Sequence, residues 1–250
     1  MSRARPALVA VIVLSLVAPG AWADFTPWSD VKAAGARAVD RESRWRLALG
    51  GAAVLGARSV DGSARTYMDG TRRLGDLDPV GNDVLGTGVP GVLLGAGFWG
   101  YGLLRDEAGP TRSGQSQLEA LAATGLATLL LKASVDRTRP DDSDRNSFPS
   151  GHASTTFATA TVLAELYGWR AGVPAYALAT LTGASRMSTD RHWLSDVVAG
   201  AALGIWLGRA FAASGPSESA GLGNGWWIEP VADGGGTGEG ALVRAAFAFD

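Results

Sequence analysis

The chain holds only two histidines among 250 residues, and each stands in a segment suited to handling an anion. His152 ends the run Pro149-Ser150-Gly151-His152. His192 lies in Ser185-Arg186-Met187-Ser188-Thr189-Asp190-Arg191-His192-Trp193-Leu194-Ser195-Asp196. Near neutral pH, imidazoles are the first side chains to consider for moving protons or forming bonds to a substrate. Ser150 is a good helix N-cap, and the free backbone N–H groups at a helix start bind anions. Gly151 lets a ligand approach the backbone closely. His192 and Asp196 are four apart, which on a predicted helix puts them on one face, where the carboxylate can fix the tautomer of the ring. Arg186 adds a planar fork for phosphate oxygens. Upstream, Lys132 precedes Arg139-Pro140 by seven residues, two helical turns, so the spacing predicts two cations on one face near a helix end.

Each segment alone has a plain alternative: a solvated cation pair, an ordinary capped helix, or a surface His–Asp pair stabilising a helix by a few tenths of a kcal/mol. Their order and spacing together are far more specific. Lys132-x6-Arg139-Pro140, then Pro149-Ser150-Gly151-His152, then Ser185-Arg186-x5-His192-x3-Asp196 resembles the type 2 phosphatidic acid phosphatase superfamily. That superfamily also holds bacterial class A acid phosphatases, lipid phosphate phosphatases and vanadium haloperoxidases. The resemblance runs from Lys132 to Asp196, and residues 24–110 and the tail carry no part of the signature. It implies an exported bacterial phosphatase that hydrolyses phosphomonoesters or lipid (di)phosphates without metal or other cofactor. It also implies roles by position. His192 would be the nucleophile, forming a phosphohistidine, and Asp196 would hold it. His152 would protonate the leaving alkoxide and then activate water. Lys132, Arg139 and Arg186, with Ser150 and the Gly151 N–H, would cradle the equatorial oxygens, and vanadate would bind there as a phosphate mimic. Two other readings stand beside this one: a vanadium-dependent haloperoxidase, in which His192 would coordinate vanadium, and a non-catalytic lipid-binding protein of the envelope.

The elements that must position these residues read as helices, so the expected fold class is all-α, a compact helical bundle with a C-terminal β-hairpin. Helices are predicted over Trp28–Val39, Arg44–Arg58 and Ser63–Leu74, followed by a loop over Gly75–Asp83. Val84–Leu104 is apolar on all sides and reads as one central helix or a membrane span. Asp106–Gly114 reads as a loop and Gln115–Val135 as a long helix, with Leu118, Leu121, Leu126, Leu129 and Leu130 at helical spacing. A polar loop over Asp141–Phe148 leads to a helix from Ser150 to about Tyr167. Gly168 and Gly172-Val173-Pro174 mark a turn, with Pro174 in the first turn of a helix that ends near Arg186. A last helix is predicted from about Asp190 to Ala213. Trp226–Ala232 and Ala241–Phe249, around a Gly-rich turn, show strand periodicity.

Composition bounds the rest. Arg3 and Arg5, an apolar run from Ala7 to Val17 and Ala21-Trp22-Ala23 form a secretory signal pattern. The expected organisation is therefore a signal peptide over 1–23, a helical phosphatase domain over 24–213, and a Gly-rich linker and hairpin over 214–250. Formal net charge is -2, which gives no basic surplus for a nucleic-acid partner. There is no cysteine, so export raises no question of disulfides. The expected location is the periplasm, with association to the cell-envelope membrane, and the expected partner is a phosphorylated small molecule or lipid. A mean hydropathy of +0.10 points to a mostly water-facing body. Asp141, Asp142 and Asp144 read as a solvated rim rather than a metal cluster. Gly86-x-Gly88-x-x-Gly91 matches a dinucleotide fingerprint by letters only, because it contains Pro90 and follows no predicted strand.

Overall fold

The computed structural model describes residues 27–69, 74–212, 227–230 and 243–246. Among the described residues, eight helices of two turns or more make the body: α1 Pro27–Ala38, α2 Arg41–Ser59, α3 Asp61–Asp69, α4 Val89–Arg105, α5 Ala108–Ser134, α6 Gly151–Tyr167, α7 Trp169–Ser188 and α8 Leu194–Ala212. A short irregular helical segment, 77–87, joins α3 to α4. Two strands, β1 Trp227–Pro230 and β2 Val243–Ala246, pair antiparallel with Trp227 opposite Ala246. The all-α class therefore holds. The proposed signal segment, 1–23, and the turn of the hairpin lie outside the described residues.

The central packing event is α8 against α6, and small residues make it possible. Gly200, Gly204 and Gly208 recur every four residues and so line one face of α8. A Cβ on Gly200 would overlap the Ser150 carbonyl oxygen, one on Gly204 would sit 2.8 Å from Ala158 N, and one on Gly208 would sit 2.8 Å from Thr161 Cβ. The backbones of the two helices therefore meet almost directly, which joins the start of α8 to the start of α6. The Ser150 N–H donates to the Asp196 backbone oxygen at 3.0 Å. The apolar core beyond this seam is correspondingly small-sided, built on Ala34, Ala38, Ala120, Val162, Ala210 and Phe211. α1 is tied to it by Arg37 Nε donating to the Ala210 carbonyl at 2.7 Å and Trp206 Nε1 donating to the Ala38 carbonyl at 2.9 Å.

Several predicted boundaries move, each for a local reason. The single helix expected over Val84–Leu104 is broken: Gly88 has φ 78° and separates the 77–87 segment from α4, with Pro90 in the first turn of α4. The loop expected at Asp106–Gly114 is helical from Ala108, because Pro110 falls in the first turn of α5, where a missing N–H costs nothing. Pro174 lies inside α7, not at its start. The last helix begins at Leu194, so His192 precedes it and only Asp196 lies in its first turn. α5 ends at Ser134, so Lys132 and Arg139 do not share a helical face.

The outer surface departs from the water-facing expectation. Leu55 is 71% exposed on α2, Leu104 87% on α4, and Leu126, Leu129 and Leu130 are each at least 60% exposed on α5. Among the described residues, α8 alone is long and apolar enough to cross a membrane as a single straight helix, and most of it is buried inside the body.

The glycine seam predicts a contrast measurable by thermal unfolding. Gly204→Ala must push α6 away and should cost about 1–3 kcal/mol. Gly97→Ala, on α4 with nothing within 4 Å of its added Cβ, should be neutral or stabilising by up to about 1 kcal/mol.

Candidate active site

The three signature segments converge at one end of the body, where α5 ends and α6 and α8 begin. Ser150 is the N-cap of α6, with extended backbone and its side chain accepting from the Ala153 N–H. Ser150 itself is fully buried. Gly151 follows, and a Cβ there would meet nothing closer than Thr128 Cγ2 at 3.5 Å and Lys132 Cε at 4.0 Å. The protein therefore has room for an alanine at 151. What the glycine leaves open is the approach to the backbone at the helix start.

His192 is buried, and its Nδ1 lies 2.7 Å from the Ser147 carbonyl oxygen. A carbonyl can only accept, so Nδ1 carries the proton and Nε2 presents its lone pair. Asp196, also fully buried, does not make the direct bond expected from the sequence. Its Oδ2 lies 3.8 Å from His192 Nδ1, beyond hydrogen-bond range, and acts on the ring as a nearby charge. The carboxylate is satisfied by other donors: Ser147 Oγ at 2.5 Å, the Trp193 N–H at 2.9 Å and Arg137 Nη1 at 2.5 Å. Asp196 thus holds Ser147, whose carbonyl holds His192.

The cations reach the same place from different elements. Lys132, in the last turn of α5, donates to the Asn146 carbonyl at 2.5 Å. Arg139, in the loop beyond, pairs with Asp144 at 2.7 Å and donates to the Arg191 carbonyl at 3.0 Å. Arg186 sits in the last turn of α7, donates to Asn82 Oδ1 at 2.8 Å, and its buried Nε has no hydrogen-bond partner in the protein. Asp141 pairs with Arg191 at 3.1 Å. Together with the Asp144–Arg139 pair, this makes the acidic run a rim that positions arginines. No group of three or more His, Asp or Glu side chains among the described residues is arranged to hold a metal ion.

The electrostatics follow from crowding positive groups in a dry place. Burial pushes His152 down to about 3, and Arg186, His192, Arg139 and Lys132 push the same way. Burial brings His192 down to about 4, with Asp196 opposing it. Burial and then Arg139 bring Lys132 to about 8, and burial and Arg139 bring Arg186 to about 10. Without an anion both imidazoles are neutral at pH 7. A dianion among the three cations reverses the sign of the local field and raises every one of these values.

The signature missed four residues. Asn82, buried in the 77–87 segment, orients Arg186 and donates to the Ser185 carbonyl at 3.4 Å. Gly86, in the same segment, lies against His152: a Cβ there would sit 2.9 Å from His152 Cγ and closer still to Cδ2. That segment walls one side of the site. Only the Gly86 and Gly88 punctuation hinted at it, and that hint does not identify a partner 66 residues away in the chain. Asp61 and Arg137 were likewise invisible, because nothing in the spacing links them to Asp196.

Residues 115–217 match the family model described as the PAP2 superfamily. The matched stretch contains all three signature segments, from Lys132 to Asp196, and is similar to that superfamily, which supports the resemblance read from the sequence. A lipid A 1-phosphatase of Porphyromonas gingivalis is 49% identical over 80 residues, which are 31% of this chain and 18% of that protein. A lipid A 4'-phosphatase of Helicobacter pylori is 37% identical over 62 residues, 25% of this chain and 31% of that protein. The chain thus spans less than a third of the length of either relative. Among solved structures, a transmembrane PAP2 type phosphatidylglycerolphosphate phosphatase from Bacillus subtilis superposes with a TM-score of 0.41 at 19% identity, covering 84% of this chain and 93% of that one.

Two outcomes test this geometry. Gly151→Ala should fold with an unchanged melting temperature, since its methyl meets Thr128 Cγ2 only at ordinary van der Waals distance, yet bind vanadate about tenfold more weakly, since it narrows the approach to the N–H groups at the start of α6. Lys132 holds its charge below about 8 and loses it above. In a pH series, kcat/KM toward a phosphomonoester should therefore fall as pH rises through that value, and Lys132→Arg should move the fall to higher pH.

Proposed function

We propose that the protein is a metal-independent phosphatase that removes phosphate from lipid phosphates through a phosphohistidine on His192. The observation that carries this reading is the meeting of two imidazoles of opposite suitability with three cations at the N-terminus of α6. His192 has its Nδ1 proton engaged by a carbonyl, so Nε2 is the free lone pair for in-line attack on phosphorus. In the first step the Nε2–P bond forms as the bond from phosphorus to the leaving oxygen breaks, and His152 gives that oxygen a proton. In the second, water attacks phosphorus, the N–P bond breaks, and His152 takes the proton back. Lys132, Arg139, Arg186 and the Gly151 N–H hold the three equatorial oxygens, where charge must be stabilised throughout. The unpartnered Arg186 Nε is a donor that a phosphate oxygen would satisfy.

His152 is neutral at pH 7 without an anion, so its acid role depends on the substrate's own charge raising its affinity for a proton. Substrate binding and protonation of His152 are then one linked event.

The lipid class is supported by the surface beside the site. Leu126, Leu129 and Leu130 are exposed on α5 in the turns that lead to Lys132, which suits a phosphate presented at a bilayer. The relatives named as lipid A 1- and 4'-phosphatases make a phosphorylated glycolipid the first substrate to try. The N-terminal Arg3–Ala23 pattern supports an exported protein acting at the outer side of the cytoplasmic membrane.

The test is a panel on the full chain with EDTA present: lipid A, phosphatidate and p-nitrophenyl phosphate. Lipid phosphates should be turned over by a factor of ten or more above the soluble ester at equal kcat/KM scale, and EDTA should leave the rate unchanged. His192→Ala should abolish turnover of all three with the fold intact, and activity surviving it would overturn the nucleophile assignment. His152→Ala should slow esters with poor leaving groups most, by about a hundredfold or more, because protonation matters most there. Equal losses on good and poor leaving groups would count against the acid role.

A further inference from the structure

A buried chain of charges runs behind His192 and leaves the matched family segment. Arg137 Nη1 donates to Asp196 Oδ1 at 2.5 Å and to Ser195 Oγ at 2.7 Å, and its Nη2 donates to Asp61 Oδ2 at 2.7 Å. Asp61, at the start of α3, also accepts from the Ser195 N–H at 2.8 Å and the Ser195 hydroxyl at 2.7 Å. Asp61 and Asp196 are both buried, and the Arg137 side chain is only 15% exposed. The guanidinium is also stacked, lying 5.5 Å over the ring of Trp193, whose Nε1 donates to the Thr138 carbonyl at 2.9 Å. Arg65 of α3 covers the same ring at 5.7 Å.

We infer that Asp61 is a charge-balancing, positioning residue for the phosphoryl-transfer centre, acting on His192 through Arg137 and Asp196. The inference rests on the reading of His192 as nucleophile. If Arg137 met Asp196 alone, the pair would be neutral and the carboxylate would have little left to offer the imidazole. Asp61 supplies a second carboxylate to the same guanidinium, so two acids and one base leave one formal negative charge in excess beside His192. When Nε2 accepts the phosphoryl group, Nδ1 keeps the proton it shares with Ser147, and the ring becomes a cation. The excess negative charge meets that cation in a place water does not reach. The partial positive charge at the start of α8 adds to the demand, since it already draws on both carboxylates. The other charged groups facing His192 are His152 from α6, Lys132 and Arg139 from the end of α5 and its loop, and Arg186 from α7. All of these are neutral or positive, so Asp196 is the acid beside the ring, and Asp61 stands behind it on the far side of Arg137.

Asp61→Asn is the probing change, because an asparagine oxygen can still accept from Ser195 while the charge is lost. Asp61→Asn with Arg137→Gln removes one acid and one base and restores the excess negative charge. The full chain carries only two histidines, so ¹⁵N-histidine labelling in phosphate-free buffer follows both rings, with His152→Ala to assign them. The expected result is that Asp61→Asn lowers the His192 titration midpoint by about one unit, the size a unit charge exerts at an effective dielectric of about 20 across one intervening side chain. kcat on p-nitrophenyl phosphate should fall about tenfold to a hundredfold with little change in KM. The double substitution should return the midpoint to near its starting value and recover much of kcat. A merely structural Asp61 would leave the His192 midpoint unmoved and make the double variant worse than the single; either result overturns the inference. The titration reads the coupling whatever His192 does in turnover. A fault in the phosphohistidine reading shows separately, as turnover that survives His192→Ala.

Discussion

Asp196 has no exposure to water, and a carboxylate so placed is tolerable only if donors meet its oxygens. The architecture of the site can be derived from that requirement. Ser147, the Trp193 N–H and Arg137 meet the oxygens, and each brings a different stretch of chain to the start of α8. Ser147 brings the loop whose carbonyl fixes the His192 tautomer. Arg137 brings the turn between α5 and the rim arginines. The backbone oxygen of Asp196 receives the Ser150 N–H, which docks the N-cap of α6. Burial works against the charge, yet these donors, with His192 nearby, hold Asp196 below its ordinary value. His192 is thus oriented by a neutral carbonyl, and the charge stands one step back.

That arrangement requires α6 and α8 to approach more closely than leucine-sided helices can. Gly200, Gly204 and Gly208 allow it, and the alanine-rich core follows from the same geometry. With few large side chains in the interior, many leucines stand on the outside of α2, α4 and α5. The mean hydropathy is modest because the centre is small and polar, with Thr128, Ser154, Ser185 and Ser195 buried around the site. An average over the chain does not register which side of a helix the leucines occupy.

Burial and mutual repulsion lower the proton affinity of His152, His192 and Lys132 together. In the proposed reaction the phosphate would relieve that repulsion. Asp144 and Asp141 on the rim keep Arg139 and Arg191 from turning away into solvent.

The candidate residues that the structure brings together were legible in the sequence because their spacing is local. An N-cap, a glycine at a helix start and a His four residues before an Asp each follow from short spacing, and their order carries the resemblance to the family. The helices were legible too, from apolar spacing and the Gly and Pro stops. What spacing misjudged were contacts that depend on where a helix stops. Lys132 and Arg139 are not on one helical face because α5 ends between them, and His192 stands outside α8, so Asp196 acts on it as a nearby charge and is hydrogen-bonded to it only by way of Ser147. Asn82 and Asp61 were out of reach altogether. Each is 100 or more residues from its partner, Asn82 from Arg186 and Asp61 from Ser195, and a hydrogen bond between segments so far apart leaves no periodicity to read. Sequence by itself determined which groups gather at the candidate site; only the tertiary structure decided which groups hold them, because buried charges choose their partners by proximity in space.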